Sequence, residues 1–322
     1  MAIMSVREAL QSALHEAMDD QRAFIVGEDI GHYGSTYGVT AGFLEQYGPE
    51  RIRDSPIAES GIIGIGIGAA MLGMRPICEI MSVNFSLLAF DQIINHAAKI
   101  HYMFGGQINV PMVLRTTNGW TQLSATHSQS FDSMFSYVPG LKVVAPATPA
   151  DMKALFKASF EDPDPVIFIE HTLMYGVKGE VPDEPYEVKI GESRLAREGK
   201  DITIVTYSRP VHLCMAVADD LAKEGIECEI IDLRTLRPMD MSKALESFRK
   251  TNHALVVAED WETHGMTAEI SAQLYEHGFD YLDAPIARVG FKEVPFPYAR
   301  NLEQQVVVTP DRIKAAIKKV LA

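Results

Sequence analysis

Two runs of short apolar segments alternating with amphipathic ones, separated by a stretch poor in both, constrain this chain more than any other feature. In the first run, strand-like segments at 23–26, 76–80, 112–115, 143–146 and 166–170 alternate with helical patterns at 6–17, 87–104, 131–137 and 150–160. In the second, strands at 202–207, 228–233, 254–258 and 285–289 alternate with helical patterns at 211–223, 242–248, 267–275 and 310–321. Such alternation implies mostly parallel sheets covered by helices on both faces. Between the runs, residues 173–200 dissolve into Pro, Gly, Glu and Lys, the composition of a linker. A chain of 322 residues also exceeds what one hydrophobic core usually organises. The expectation is an α/β protein of two domains, 1–180 and 201–322, joined by a linker at 181–200.

Local signals support the helix assignments. Ser5 and Glu8 form a capping box ahead of Val6, Ala9, Leu10, Ala13, Leu14 and Ala17, which recur at helical spacing. Thr148 is placed to cap the helix at 150–160, with Pro149 at its first position. After the strand at 23–26, the stretch GEDIGHYGSTYGVTAGF is rich in Gly, Ser and Thr and reads as a long functional loop.

Composition excludes several function classes. A formal charge of -14 leaves no basic stripe for nucleic acid and no attraction to an anionic membrane. The three cysteines, Cys78, Cys214 and Cys228, form no CxxC pair and read as reduced thiols. The N-terminal residues lack the apolar core of a signal peptide, and the apolar run at 61–74 is too short to span a bilayer. A soluble cytoplasmic protein is expected.

The segment PIAESGIIGIGIGAAMLG, residues 56–73, is the most unusual. Its glycines follow G-x-x-G-x-G-x-G rather than G-x-G-x-x-G, and DSPIAES, not a strand, precedes them, which argues against nicotinamide binding. A helix whose small residues admit another backbone closely, including one from another subunit, fits better. Glu59 heads that helix, either as a carboxylate favoured by the helix dipole or as a proton carrier held against apolar surface. His127 lies in the polar stretch 118–130, as a solvated bystander or a proton donor and acceptor. Phe85 reads as a core aromatic, and His96, His101 and Tyr102 as packing or interface residues. No histidine cluster has metal-ligand spacing, and neither a G-x-S-x-G elbow nor a P-loop occurs.

Taken in order, GEDIGHYG, DSPIAESGIIGIGIGAAMLGMRPICEI, NFSLLAFDQIINHAAK, THSQSF, PGLKVVAPATPADMKALFKASFEDPDPVIFIEHTLMYG and VPFPYARNLE resemble the beta subunits of the decarboxylating component of 2-oxo acid dehydrogenase complexes. The pyruvate-type enzymes look most similar, and acetoin and branched-chain enzymes share most landmarks. The resemblance implies a pyrimidine-binding thiamine diphosphate fold followed by a transketolase C-terminal-like domain. It implies that Glu59 hydrogen-bonds a pyrimidine nitrogen of thiamine diphosphate, that Phe85 packs on the ring with Met81 close by, and that His127 serves acyl transfer to a lipoyl group. It further implies a potassium ion on backbone carbonyls at Met112, Ser159, Phe160, Asp162 and Asp164.

The chain departs from the family pattern at three places. Ser35 stands where YGGxY has its second glycine, SATHSQ replaces the commoner AAQHSQ, and Asp164 in DPDP replaces an asparagine. The GDG segment that holds Mg²⁺ and the diphosphate in thiamine enzymes is missing. The resemblance assigns it to an alpha subunit in an α2β2 heterotetramer, with a dihydrolipoyl acyltransferase core as the further partner. The expected reaction is oxidative decarboxylation of pyruvate, a small 2-oxo acid. Acetoin or branched-chain substrates, and a noncatalytic assembly role, remain the alternatives.

Overall fold

The computed structural model describes residues 1–184 and 186–322, and they form two compact units. The first comprises Met1–Gly119 and Met134–Ile190. The second comprises Trp120–Ser133 and Gly191–Ala322. The division falls inside the stretch expected as a linker. Residues 120–133, counted with the first run in the sequence, group with the second unit.

The strands of the first unit are β1 (Ala2–Ser5), β2 (Ala23–Gly27), β3 (Ile52–Asp54), β4 (Arg75–Ile80), β5 (Val113–Asn118), β6 (Lys142–Val144), β7 (Val166–His171) and β8 (Lys178–Val181). Six of them pair in the order β6-β7-β5-β4-β2-β3, and every pairing is parallel. Every residue of β2, β5 and β7 is buried, as a sheet covered on both faces requires. β1 and β8 form a separate antiparallel pair. The helix Val6–Ala17 opens with the expected capping box, Glu8 N–H donating to Ser5 Oγ at 3.2 Å and Ser5 N–H to Glu8 Oε2 at 2.7 Å. It buries its apolar stripe against the helix Pro149–Glu161, whose N-cap is Thr148.

The continuous helix expected at 87–104 is instead three short pieces. A 3-10 turn at Val83–Ala89 is followed by a π-helical turn at Gln92–Ala97 and a single α-turn at Ile100–Met103. The hydroxyl of Ser86 donates to the Val83 carbonyl at 2.6 Å, which favours the tight first turn, and Ala98 N–H reaches back five residues to Ile93.

The second unit contains β9 (Arg194–Arg197), β10 (Ile202–Thr206), β11 (Cys228–Asp232), β12 (Thr235–Arg237), β13 (Ala254–Trp261) and β14 (Ala287–Phe291). Five pair in the order β14-β13-β10-β11-β9, all parallel except β9, which runs antiparallel to β11 at the edge. β9 lies within 181–200, where the sequence reading placed only linker. Helices at Pro210–Ala222, Ser242–Thr251, Met266–Gly278 and Pro310–Val320 follow the expected order. The apolar faces of the first and last complete a core around Ile204, Ile230, Leu255 and Ile313. No helix among the described residues is long and apolar enough to cross a membrane.

Candidate active site

In an open parallel sheet, ligands bind outside the carboxyl ends of the strands. At that edge of the first unit, β2 delivers Glu28, β4 delivers Met81, and the chain after β3 turns into the helix Glu59–Met71. Ser55 N–H donates to the Gly27 carbonyl at 2.8 Å, tying the turn to β2. Glu59 begins the helix and is only 6% exposed. The free N–H groups of a helix start favour a carboxylate there. Burial and the charges of Asp29 and Glu59 raise the half-buried Glu28 carboxyl above its ordinary range. Two acids therefore share this edge, and the charge of Glu59 bears on Glu28.

Glycine sets how closely the helix lies on the sheet. A methyl group at Gly66 would come within 2.3 Å of Cys78 Sγ, so only glycine lets the helix rest on β4. Gly64 and Gly68 behave differently: nothing of this chain lies within 4 Å of where their side chains would be. They share an exposed face with Ile57, Ile65 and Leu72.

Met81 follows β4 directly, and its carbonyl accepts the Thr117 hydroxyl at 2.9 Å. Phe85 is half-buried on the 3-10 turn Val83–Ala89, against which the Glu59 helix packs. Glu59, Met81 and Phe85 are thus carried by neighbouring elements of one sheet edge.

Beneath them runs a buried polar chain that the sequence reading missed. Arg115 donates through Nη1 to Glu79 Oε2 at 2.5 Å and through Nε to Glu170 Oε1 at 2.7 Å. Glu170 also accepts from Tyr175 Oη at 2.6 Å, and Glu79 from Ser35 Oγ at 2.5 Å. The available signal was an interior charge within each strand: Glu79 in RPICEI, Arg115 in VLRTTN and Glu170 in VIFIEH. Buried charges in such positions demand partners. Ser35 adopts φ 68°, a left-handed conformation that suits the glycine usual there, and its hydroxyl bond to Glu79 offsets the strain.

His127 belongs to the second unit. It is exposed on the segment Trp120–Ser133, with Nδ1 2.8 Å from Thr126 Oγ1.

The carbonyls expected to hold potassium lie at the opposite, amino-terminal edge of the first sheet. Met112 O accepts from Val166 N–H at 3.0 Å, and Phe160 O and Asp162 O accept from Arg75 Nη1 at 2.6 and 3.4 Å. Lys142 Nζ lies 2.7 Å from Asp162 Oδ1 and 3.1 Å from Asp164 Oδ2, while Ser159 is buried on the same helix end. No group of three His, Cys, Asp or Glu side chains suited to a metal occurs among the described residues.

The family described as "Transketolase, pyrimidine binding domain" matches residues 2–178, and "Transketolase, C-terminal domain" matches residues 191–313. The chain is 46% identical over 322 residues to the Oryza sativa "Pyruvate dehydrogenase E1 component subunit beta-2, mitochondrial", covering 98% of this chain and 86% of that protein. It is 47% identical to the Dictyostelium discoideum "Pyruvate dehydrogenase E1 component subunit beta, mitochondrial", covering 98% and 91%. With the Rickettsia felis "Pyruvate dehydrogenase E1 component subunit beta" the identity is 44%, covering 98% of each. Among solved structures, "Split gene transketolase, inactive beta4 tetramer" superposes with a TM-score of 0.83 at 24% identity, covering 99% of this chain and 98% of that one. The chain therefore belongs to the transketolase-like family, among the beta subunits of the pyruvate dehydrogenase E1 component.

Proposed function

We propose that this chain is the beta half of a thiamine diphosphate-dependent enzyme that decarboxylates pyruvate oxidatively and passes the acetyl group to lipoyl groups of an acyltransferase. One observation carries the reading. Glu59 is buried at a helix start on the carboxyl edge of a parallel sheet, in a chain 44–47% identical to pyruvate dehydrogenase beta subunits.

When bound, the cofactor supplies the electron sink for loss of carbon dioxide. Glu59 holds a proton against a pyrimidine nitrogen, a task that needs a carboxyl group shielded from water. Phe85 offers an aromatic face to the same ring, and Met81 lies close by. A buried carboxylate beside an aromatic face fits a heteroaromatic base in chemistry and in polarity. His127 moves a proton during acyl transfer, the general acid–base work an imidazole can do.

Mg²⁺ and the diphosphate are held mainly by an alpha subunit, because this sequence has no GDG segment. The open glycine face at Gly64 and Gly68 supports close packing of a second polypeptide on the Glu59 helix, in an α2β2 heterotetramer. The acyltransferase core is the further partner. Potassium takes the corner formed by Met112, Ser159, Phe160, Asp162 and Asp164. A helix end and two carboxylates favour a cation there, and Arg75 and Lys142 already exploit it. Three free, buried cysteines suit a reducing compartment, the cytoplasm in this reading.

Steady-state rates on the reconstituted heterotetramer test the assignment. Pyruvate is expected to exceed acetoin and branched-chain 2-oxo acids in kcat/KM by about tenfold or more, the discrimination a substrate pocket supplies per methylene or so. A higher value with either rival moves the assignment to that substrate.

A further inference from the structure

The segment Trp120–Ser133 is a bridge whose two feet are pinned by side chains of the second unit and whose crown carries His127. At the first foot, Trp120 is 8% exposed within the core of that unit. Its indole N–H donates to Glu259 Oε1 at 3.3 Å. Arg209 donates to the same oxygen, and its guanidinium carbon stands 5.3 Å from the Trp120 ring centroid. Two residues on, the Gln122 N–H donates to Glu303 Oε1 at 2.7 Å, and Glu303 is only 2% exposed. Gln122 and Ser124 take φ values of 58° and 70°, which turn the chain sharply from foot to crown. At the second foot, Phe131 and Asp132 are buried, and Tyr207 Oη donates to Asp132 Oδ2 at 2.9 Å.

These contacts have a common consequence. A backbone N–H bonded to a buried carboxylate is a charge-assisted bond, and losing its acceptor strands a donor. With both feet fixed, the residues between them explore fewer conformations, and the exposed histidine is confined to a smaller volume. Acid–base groups work only when delivered in register with the reacting atoms.

We infer that Glu303, Glu259 and Tyr207 are positioning residues for His127, so that the C-terminal unit builds the support of a histidine lying within the sequence of the pyrimidine-binding domain. The purpose of that histidine rests on the proposed acyl transfer. The mechanics of the bridge do not.

Four variants of the full chain, assembled with its partner, test this: Tyr207→Phe, Glu303→Ala, Glu303→Gln and His127→Ala. Amide hydrogen exchange across 122–131 is measured first, then acetyl transfer to a free lipoyl domain against decarboxylation coupled to a dye. Tyr207→Phe and Glu303→Ala are expected to speed exchange in the segment and to slow acetyl transfer by about tenfold, with dye-coupled decarboxylation within about twofold of wild type. Glu303→Gln keeps an oxygen acceptor and is expected to restore most of both losses. Unchanged exchange at 122–131 in both disruptive variants overturns the inference, as does a parallel fall of the two half-reactions. Faster exchange together with normal acetyl transfer in His127→Ala supports the bridge and removes the histidine's proposed role instead.

Discussion

Arg115 and Glu170 meet through two parallel hydrogen bonds, Nε to Oε1 at 2.7 Å and Nη2 to Oε2 at 2.9 Å, with both side chains withdrawn from solvent. The pair joins adjacent strands β5 and β7, and Glu79 on β4 takes the remaining arm of the guanidinium. A single cation thereby compensates two carboxylates beneath the proposed cofactor edge. Burial raises the Glu170 carboxyl, while Arg115 and Tyr175 pull it down, so its charge depends on keeping both partners.

Removing the cation alone leaves two buried acids facing each other. Arg115→Met is expected to lower the unfolding free energy by about 3–5 kcal/mol, the loss typical when one member of a buried ion pair is deleted. Urea denaturation of the variant checks this, and a change within experimental scatter of zero contradicts the network's structural role.

The loop after β2 is tied to that network by Ser35. Ser35→Ala keeps the left-handed strain and loses the hydroxyl bond to Glu79, whereas Ser35→Gly loses the bond but relieves the strain. The alanine variant is expected to be less stable than the glycine variant by about 1–2 kcal/mol, the penalty for a left-handed non-glycine residue. Thermal unfolding of the two variants gives the ordering directly; a more stable alanine variant contradicts it.

In the second unit, burial and then the charge of Asp132 raise the Asp260 carboxyl from 3.8 to about 7. Tyr207 hydrogen-bonds that same Asp132, and N–H groups of Trp261 and Met266 donate to Asp260. An acid raised in the folded state binds its proton more tightly there than in the unfolded chain. Its stabilising contribution is therefore complete below pH 3.8 and lost as pH climbs through about 7. Asp260→Asn is expected to flatten the fall in stability between those limits. Unfolding measured at several pH values within that window checks it, and parallel profiles for variant and wild type contradict it.

Much of the architecture was legible because nearly unbroken apolar runs such as AFIV and VIFI have few homes outside a buried parallel sheet. β9 escaped notice because Arg194–Arg197 is charged at both ends and pairs only at an edge. The helix expected at 87–104 has the apolar content of one continuous element. Its breaks depend on local bonds such as Ser86 to Val83 that periodicity does not register. The attachment of residues 120–133 to the second unit was illegible for a different reason. It depends on pairings such as Trp120 with Glu259 and Gln122 with Glu303, separated by 139 and 181 positions. At the site, spacing alone left Glu59 as either dipole partner or proton carrier. Burial at a helix start is compatible with both, and the proposed function takes the second.

Glu59→Gln keeps the shape of the side chain and removes the carboxyl proton. Turnover of the reconstituted enzyme is expected to fall by about 10²–10⁴-fold, the range over which general acid–base groups contribute, while sedimentation shows the heterotetramer intact. Near-normal turnover contradicts the role assigned to this acid.

In the proposed division of labour, one polypeptide tunes the cofactor's ring while another grips its phosphates. Calorimetric titration of thiamine diphosphate with Mg²⁺, into this chain alone and into the chain joined to its alpha partner, tests it most directly. The prediction is no measurable heat of binding for the isolated chain and tight saturable binding for the pair. Tight binding by the isolated chain contradicts it.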